Sequence, residues 1–215
     1  MSTRQIWIVD FGSQYTQLIT RKIRELGYSS EIITLKEARK KIEKSLLPKA
    51  LILSGGPQSF TKDTIDYSFI FNQENLPILG ICYGMQLMAG FFGGTVEKGI
   101  SGEYGDSRIV LEDGFTIPNC PKNINVWMSH FDHVSKVPDS MDIVMKSQNG
   151  YCAMIKHKTR PMIGLQFHPE VDHTDHGLDI LNYFCQDIAK LQQDWSAQTM
   201  LEEAESLVKQ VGSEY

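Results

Sequence analysis

Residues 77–93 read Pro77-Ile-Leu-Gly-Ile-Cys82-Tyr-Gly-Met-Gln86-Leu-Met-Ala-Gly-Phe-Phe-Gly93. A short apolar strand (Pro77–Ile81) runs into a turn flanked by Gly80 and Gly84, and an apolar helix (Met85–Phe92) follows, stopped by Gly93 and Gly94. Strand, G-x-nucleophile-x-G turn and helix, in that order, make the elbow that lifts one side chain out at the top of a sheet. The glycines permit the sharp turn. The helix N-terminus beneath it supplies partial positive charge and backbone N–H groups that favour a thiolate. Cys82 is therefore the candidate nucleophile, against the plainer reading of a buried cysteine in a tight turn.

The surrounding sequence extends the pattern. Gln5–Val9 reads as a strand ending at Asp10-Phe-Gly12. Ser13 can cap a helix whose apolar positions are Tyr15, Leu18, Ile19, Ile23 and Leu26, and Gly27 closes it. Ser30–Leu35 is a second strand, Glu37–Leu47 a charged helix halted before Pro48, and Ala50–Leu53 a third strand broken by Ser54-Gly-Gly-Pro57. Apolar, non-alternating strands separated by helices predict an α/β fold with a mostly parallel sheet covered on both faces. From about Thr95 to Lys158 the pattern changes. Ser107–Leu111, Asn125–Met128, Ile143–Lys146 and Tyr151–Lys156 sit between turn signals such as Glu112-Asp-Gly114 and Gln148-Asn-Gly150 and predict a small antiparallel extension. Met162–Phe167 is a further strand, and a helix is expected within Gly177–Gln192.

The end of the chain reads differently. Ser196–Val211 is expected as an isolated amphipathic helix with Leu201, Ala204, Val208 and Val211 in one stripe, Leu207 beside it, and Thr199-x-x-Glu202 as a capping box. It either packs back on the domain or leads to a module outside this chain. The expected division is a domain over 1–192 and a linker over 193–215.

Composition bounds the rest. The 215 residues suit one domain plus an appendage, and 41% hydrophobic with 22% charged residues suits a globular chain. Lys and Arg number 21 against 26 Asp and Glu, a net charge of −5 without a basic stripe, so nucleic acid is not the expected partner. No apolar run is long enough to span a membrane, and from its first residues no secretory leader is expected. Cys82, Cys120, Cys152 and Cys185 form no C-x-x-C pair and read as reduced thiols of a cytoplasmic protein.

A cysteine nucleophile needs a base, and the base an orienter. His168 stands after the strand Met162–Phe167 in Gln166-Phe-His-Pro-Glu170, and parallel strands collect their C-terminal ends along one edge. Glu170 can accept from the imidazole and fix its tautomer. Gly56, in the glycine pair after the third strand, and Tyr83, after the nucleophile, can supply oxyanion-hole N–H groups. Two competing signals are weaker. Ser54-Gly-Gly-Pro-Gln-Ser59 looks like a pyrophosphatase phosphate loop, but Gln58 replaces the acidic residue and Pro57 removes a donor; no Walker A and no G-x-G-x-x-G occurs. His168, Asp172, His173, Asp175 and His176 are rich in ligand types but match no zinc spacing, and no metal is expected. His130 and His133 are candidate site-lining residues.

These pieces, in this order, resemble the triad-type class I glutamine amidotransferases over essentially the whole chain. Gly80-Ile-Cys-Tyr-Gly-Met-Gln86 resembles the family's nucleophile elbow, and His168-Pro-Glu170 its triad partners. Asp10-Phe-Gly-Ser-Gln-Tyr-Thr-Gln-Leu18, Ile52-Leu-Ser-Gly-Gly-Pro57, Val126-Trp-Met-Ser-His130 and Gly164-Leu-Gln-Phe-His-Pro-Glu-Val171 are most similar to the glutaminase domains of GMP synthases. The tail from Trp195 to Gly212 resembles the linker before their ATP-pyrophosphatase module.

The resemblance implies a flavodoxin-like sheet and hydrolysis of L-glutamine to glutamate and ammonia through a thioester on Cys82. It places Gly55, Gln86, Ser129 and His130 on the substrate. It sends ammonia to a synthetase module that converts XMP to GMP, with ATP and Mg2+ on that module and no cofactor in this chain. One position departs: Phe131 stands where the family commonly has glycine, which restricts any backbone contact to glutamine there. The alternatives are a glutaminase for anthranilate or carbamoyl phosphate synthesis, a quiet regulatory or docking domain, and a stand-alone cysteine hydrolase.

Overall fold

The computed structural model describes residues 4–60, 64–196, 198, 199, 201, 202 and 205. Its strands are β1 (Ile6–Asp10), β2 (Ser30–Thr34), β3 (Ala50–Leu53), β4 (Ile78–Ile81), β5 (Thr95–Leu111), β6 (Asn123–Lys136), β7 (Met141–Ser147), β8 (Cys152–His157) and β9 (Met162–Leu165). Its helices are α1 (Thr16–Glu25), α2 (Leu35–Ile42), α3 (Ser68–Phe71), α4 (Tyr83–Phe91) and α5 (Gly177–Asn182), the last continued by a π-helical turn over Tyr183–Ile188. One sheet runs β2-β1-β3-β4-β9-β8-β7-β5-β6. The first five strands are mutually parallel, and β8, β7, β5 and β6 add antiparallel neighbours.

The apolar runs decide this arrangement. Side chains alternate between sheet faces, so β1 sends Ile6 and Ile8 to one core and Trp7 and Val9 to the other. The first core gathers Ile19 and Ile23 of α1 with Ile180 and Leu181 of α5; the second gathers Ala38 and Ile42 of α2 with Met85 and Met88 of α4. Strands β3, β4 and β9 are buried along their whole length, as both-face coverage requires.

Several boundaries differ from expectation. Helix α2 begins at Leu35, ahead of Glu37, because Thr34 and Glu37 form a reciprocal capping box. It ends at Ile42 rather than Leu47, and Ser45 takes a left-handed φ of 60° just beyond. The short α3 carried no clear periodicity. Strands β5 and β6 run 17 and 14 residues, far past the short runs read from sequence, with bulges that break alternation. Ser13 is not the N-cap of α1; Tyr15 is, and the Ser13 hydroxyl accepts from the Tyr15 N–H instead. Gly27 does close α1, at φ 88°, with Tyr28 N–H donating to Ile23 C=O and Gly27 N–H to Arg24 C=O.

Residues 193–195 lie against that same turn. Asp194 and Trp195 N–H donate to Gly27 C=O, the Asp194 carboxylate accepts from the Ser29 N–H and hydroxyl, and the Trp195 ring stacks between the Arg4 and Arg24 guanidiniums at 4.6 and 4.7 Å. The amphipathic helix expected from Ser196 falls largely outside the described residues. At its start Ser196, not Thr199, is the cap: Ser196 Oγ accepts from Thr199 N–H, and Thr199 Oγ1 accepts from Ser196 N–H.

Candidate active site

Register brings the candidate residues together. Ile81 of β4 pairs with Leu165 of β9, and the next residue, Cys82, donates its N–H to Leu165 C=O at 2.6 Å. The two strand ends therefore deliver Cys82 and His168 to one edge of the sheet. Cys82 holds φ 51° and ψ −104°, a strained conformation for any residue but glycine. Its neighbours cannot carry side chains. A Cβ on Gly80 would stand 2.6 Å from the Gly84 carbonyl, and one on Gly84 would collide with the Leu53 carbonyl of β3. The elbow is thus wedged between β3, β4 and its own helix.

His168 is buried, and its Nδ1 lies 2.8 Å from Oε1 of the fully buried Glu170. The Cys82 thiol itself is directed toward the Ser129 C=O at 3.8 Å. Burial pulls the His168 pKa down, but the Glu170 charge and the hydrogen bonds to Cys82 and Glu170 push it up further, to about 10. At neutral pH the ring is an imidazolium beside the sulfur, the setting in which a cysteine acts as a nucleophile. Tyr15 covers the ring edge-on, centroids 5.0 Å apart. The Gln166 amide donates toward Sγ at 3.7 Å. Burial raises Cys120 to about 11 and Cys152 and Cys185 to about 12.

These groups open on a pocket of about 400 Å³ bordered by Gly56, Cys82, Tyr83, Gln86, Ser129, His130 and His168, all expected from the sequence. Gly55 lies beneath it: a Cβ there would touch His168 Cε1 at 3.2 Å and Cys82 Cβ at 3.7 Å, so its main chain packs directly on the pair. The Gln86 amide donates to Asp132 C=O at 2.9 Å, tying α4 to β6. The His130 ring is likewise held by protein, with Nδ1 3.0 Å from Asp132 O and Nε2 3.3 Å from Glu103 Oε2 at ion-pair distance. Phe131 sits in β6 with no positive φ, so its side chain costs no backbone strain; it borders the pocket half-exposed, under the Lys98 ammonium at 5.3 Å. His133 is not on the pocket; its ring packs on Tyr151.

The second histidine cluster disperses. Asp172 pairs with Lys22, His173 packs on Trp127, Asp175 bonds Asn125, and His176 contacts Asp179. Among the described residues no group of three or more metal-ligand side chains converges. In the Ser54–Ser59 loop the Gln58 amide folds back to donate to Phe11 C=O. Sequence reasoning missed Asp132, Tyr15 and Tyr104, all on the pocket wall. Asp132 is buried and accepts from Ser59 Oγ. Its place two residues after His130 in a strand was the available signal.

Comparisons with known proteins identify the family. The Glutamine amidotransferase class-I family matches residues 7–188. The glutamine-hydrolysing GMP synthase of Thermosipho africanus is 40% identical over 205 residues, covering 95% of this chain and 40% of that protein. The corresponding enzyme of Staphylococcus saprophyticus is 43% identical over 211 residues, covering 96% of this chain and 40% of that one. The chain thus spans about 40% of the length of the curated relatives it matches. A proposed GMP synthase subunit from Thermoplasma acidophilum superposes with TM-score 0.77 at 31% identity, covering 88% of this chain and 96% of that one. A Thermotoga maritima glutamine amidotransferase at 21% identity shares the fold, with TM-score 0.63 and coverage of 96% and 92%. A family match over residues 7–188, with relatives about 40% identical along nearly the whole chain, shows that the chain belongs to the class-I glutamine amidotransferases.

Proposed function

We propose that this chain hydrolyses L-glutamine and passes the ammonia to a synthetase that makes GMP from XMP. The single observation that carries the chemistry is the array Cys82, His168, Glu170 at two adjacent strand ends, opening on one pocket.

The Cys82 thiolate attacks the side-chain amide carbon of glutamine. The developing oxyanion is met by the Gly56 and Tyr83 N–H groups. The C–N bond breaks as the His168 imidazolium gives its proton to the leaving nitrogen, releasing ammonia and leaving a glutamyl thioester. Water then adds to the thioester and gives a proton to neutral His168. Sγ departs as thiolate, and glutamate leaves, restoring the starting pair. Glu170 keeps Nδ1 protonated and stabilises the imidazolium throughout. Gly55 shapes the floor, while Gln86 and His130, both held by Asp132 C=O, brace the wall of β6 on which Ser129 faces the substrate. Asp132, which borders the pocket, is assigned to the substrate's ammonium.

The acceptor half belongs to the share of the curated relatives that this chain does not span. ATP and Mg2+ are assigned to that ATP-pyrophosphatase module. Residues 1–192 are the amidotransferase domain and 193–215 the linker, with a cytoplasmic location. No helix among the described residues is long and apolar enough to cross a membrane. Mixing the chain with the synthetase module, XMP, ATP and Mg2+ tests the assignment. Glutamine-dependent GMP formation that disappears in Cys82→Ala, while free ammonia still supports it, is the expected result. Glutamine hydrolysis that persists in Cys82→Ala contradicts it.

A further inference from the structure

The main chain of His168 runs beside Trp127 of β6, yet the two residues do not pair as a ladder would have them. His168 N–H donates to Trp127 C=O at 3.2 Å. The reciprocal bond, from Trp127 N–H to His168 C=O, is replaced by a side chain. The Thr174 hydroxyl accepts from Trp127 N–H at 3.0 Å and donates to His168 C=O at 2.6 Å. Thr174 is buried, and its segment is zipped to the same strand. Asp175 N–H donates to Asn125 C=O at 2.9 Å, and Asn125 returns two bonds of 3.2 Å from its N–H and its amide to the Asp175 carboxylate. The loop cannot slide, because Gly177 is packed so tightly on the Pro169 carbonyl that a Cβ would collide there.

We infer that Thr174 is a positioning residue for His168: its hydroxyl is a one-atom spacer that sets how far the histidine main chain stands from β6, the strand that carries Ser129 and His130. It does not border the pocket and touches no reacting atom. A β-branched side chain has few rotamers, so the spacer length is fixed rather than averaged. Without the hydroxyl, Trp127 N–H and His168 C=O lose their shared partner in a buried place, and the main chain must shift to find others. A misplacement of His168 by roughly an ångström relative to Cys82 and Glu170 is enough to cost on the order of a hundredfold in rate.

This inference rests on the glutaminase reading, and two readouts keep them separate: glutamine hydrolysis by the chain with its synthetase module, and imidazole NMR titration of His168. Thr174→Val is expected to lower kcat about 10- to 100-fold with KM changed less than about threefold, and to shift the His168 midpoint. Thr174→Ser, which keeps the hydroxyl, restores both. Thr174→Ala tests the same loss should the valine variant be insoluble. Thr20→Val is the control. It removes another buried hydroxyl, bonded to Thr16 C=O at 3.3 Å, and is expected to change neither readout. An unchanged midpoint in Thr174→Val, failure of Thr174→Ser to restore, or an equal loss in Thr20→Val overturns the role. A wild-type chain that does not hydrolyse glutamine overturns the glutaminase reading instead, while the titration still decides whether Thr174 places His168.

Discussion

Glu170→Gln changes one atom type at a fully buried site, so its consequences can be worked through. His168 Nδ1 meets Glu170 Oε1 at 2.8 Å, and the second carboxylate oxygen is buried without a partner. Among the described residues, the ion-pair partner of Glu170 is His168. Burial by itself lowers the His168 pKa; the Glu170 charge, with hydrogen bonds to Cys82 and Glu170, lifts it to about 10. With an amide in place of the carboxylate the charge is gone, burial regains the upper hand, and the midpoint falls back toward the ordinary 6.5. Each pH unit of that fall is about 1.4 kcal/mol of lost preference for the imidazolium. At pH 8 the variant holds a largely neutral ring with nothing to fix its tautomer.

The expected loss in kcat is roughly a hundredfold to ten-thousandfold, the upper figure being what an uncharged orienter costs a serine triad. Stability carries its own signature. The folded pKa of His168 is raised, so its contribution is full below about 6.5 and is lost as pH rises through about 10. The Tm gap between wild type and Glu170→Gln should be widest near pH 6–7 and close toward pH 10. Thermal melts across that range, with glutamate release at pH 8, measure both. A variant as fast as wild type, or a Tm gap that does not change with pH, refutes the reasoning.

Three more outcomes follow from the fold. Gly84→Ala drives a methyl group into the Leu53 carbonyl; a loss of about 1–3 kcal/mol in denaturant unfolding, with glutamine hydrolysis gone, is expected. Cys82 is held at φ 51°, so Cys82→Gly should exceed Cys82→Ala in stability by up to about 2 kcal/mol, because relief of strain outweighs glycine's entropy; calorimetry on the two inactive variants compares them. Trp195→Ala removes the ring between Arg4 and Arg24 and should cost roughly 3 kcal/mol in the same unfolding assay, whereas a change near zero would mean that residues 193–195 do not hold to the domain.

The parts legible in the sequence are those that repeat at short range. All-apolar β3, β4 and β9 announce strands covered on both faces, and the glycines around Cys82 announce the elbow, because local sterics alone demand them. His168 and Glu170 were readable because they follow a strand that pairs in parallel with β4. What stayed hidden depends on contacts between distant segments. Thr174 is an ordinary loop threonine until β6 passes beside it, and Asp132 gains meaning only once Ser59 and Gln86 converge on it. The full lengths of β5 and β6 were masked by bulges that reset the two-residue alternation. Phe131, where the pattern led us to expect a constraint, lies in a strand backbone that any residue adopts.

The central claim is that Cys82 is an activated nucleophile inside a glutamine site. Treating the chain with a diazoketone analogue of glutamine and mapping the adduct by peptide mass spectrometry tests it directly. The account predicts rapid labelling at Cys82, suppressed by excess glutamine and slowed in Glu170→Gln, with Cys120, Cys152 and Cys185 unmodified because burial keeps their thiols neutral. Labelling spread over all four cysteines, or labelling at Cys82 that glutamine does not suppress, would contradict it.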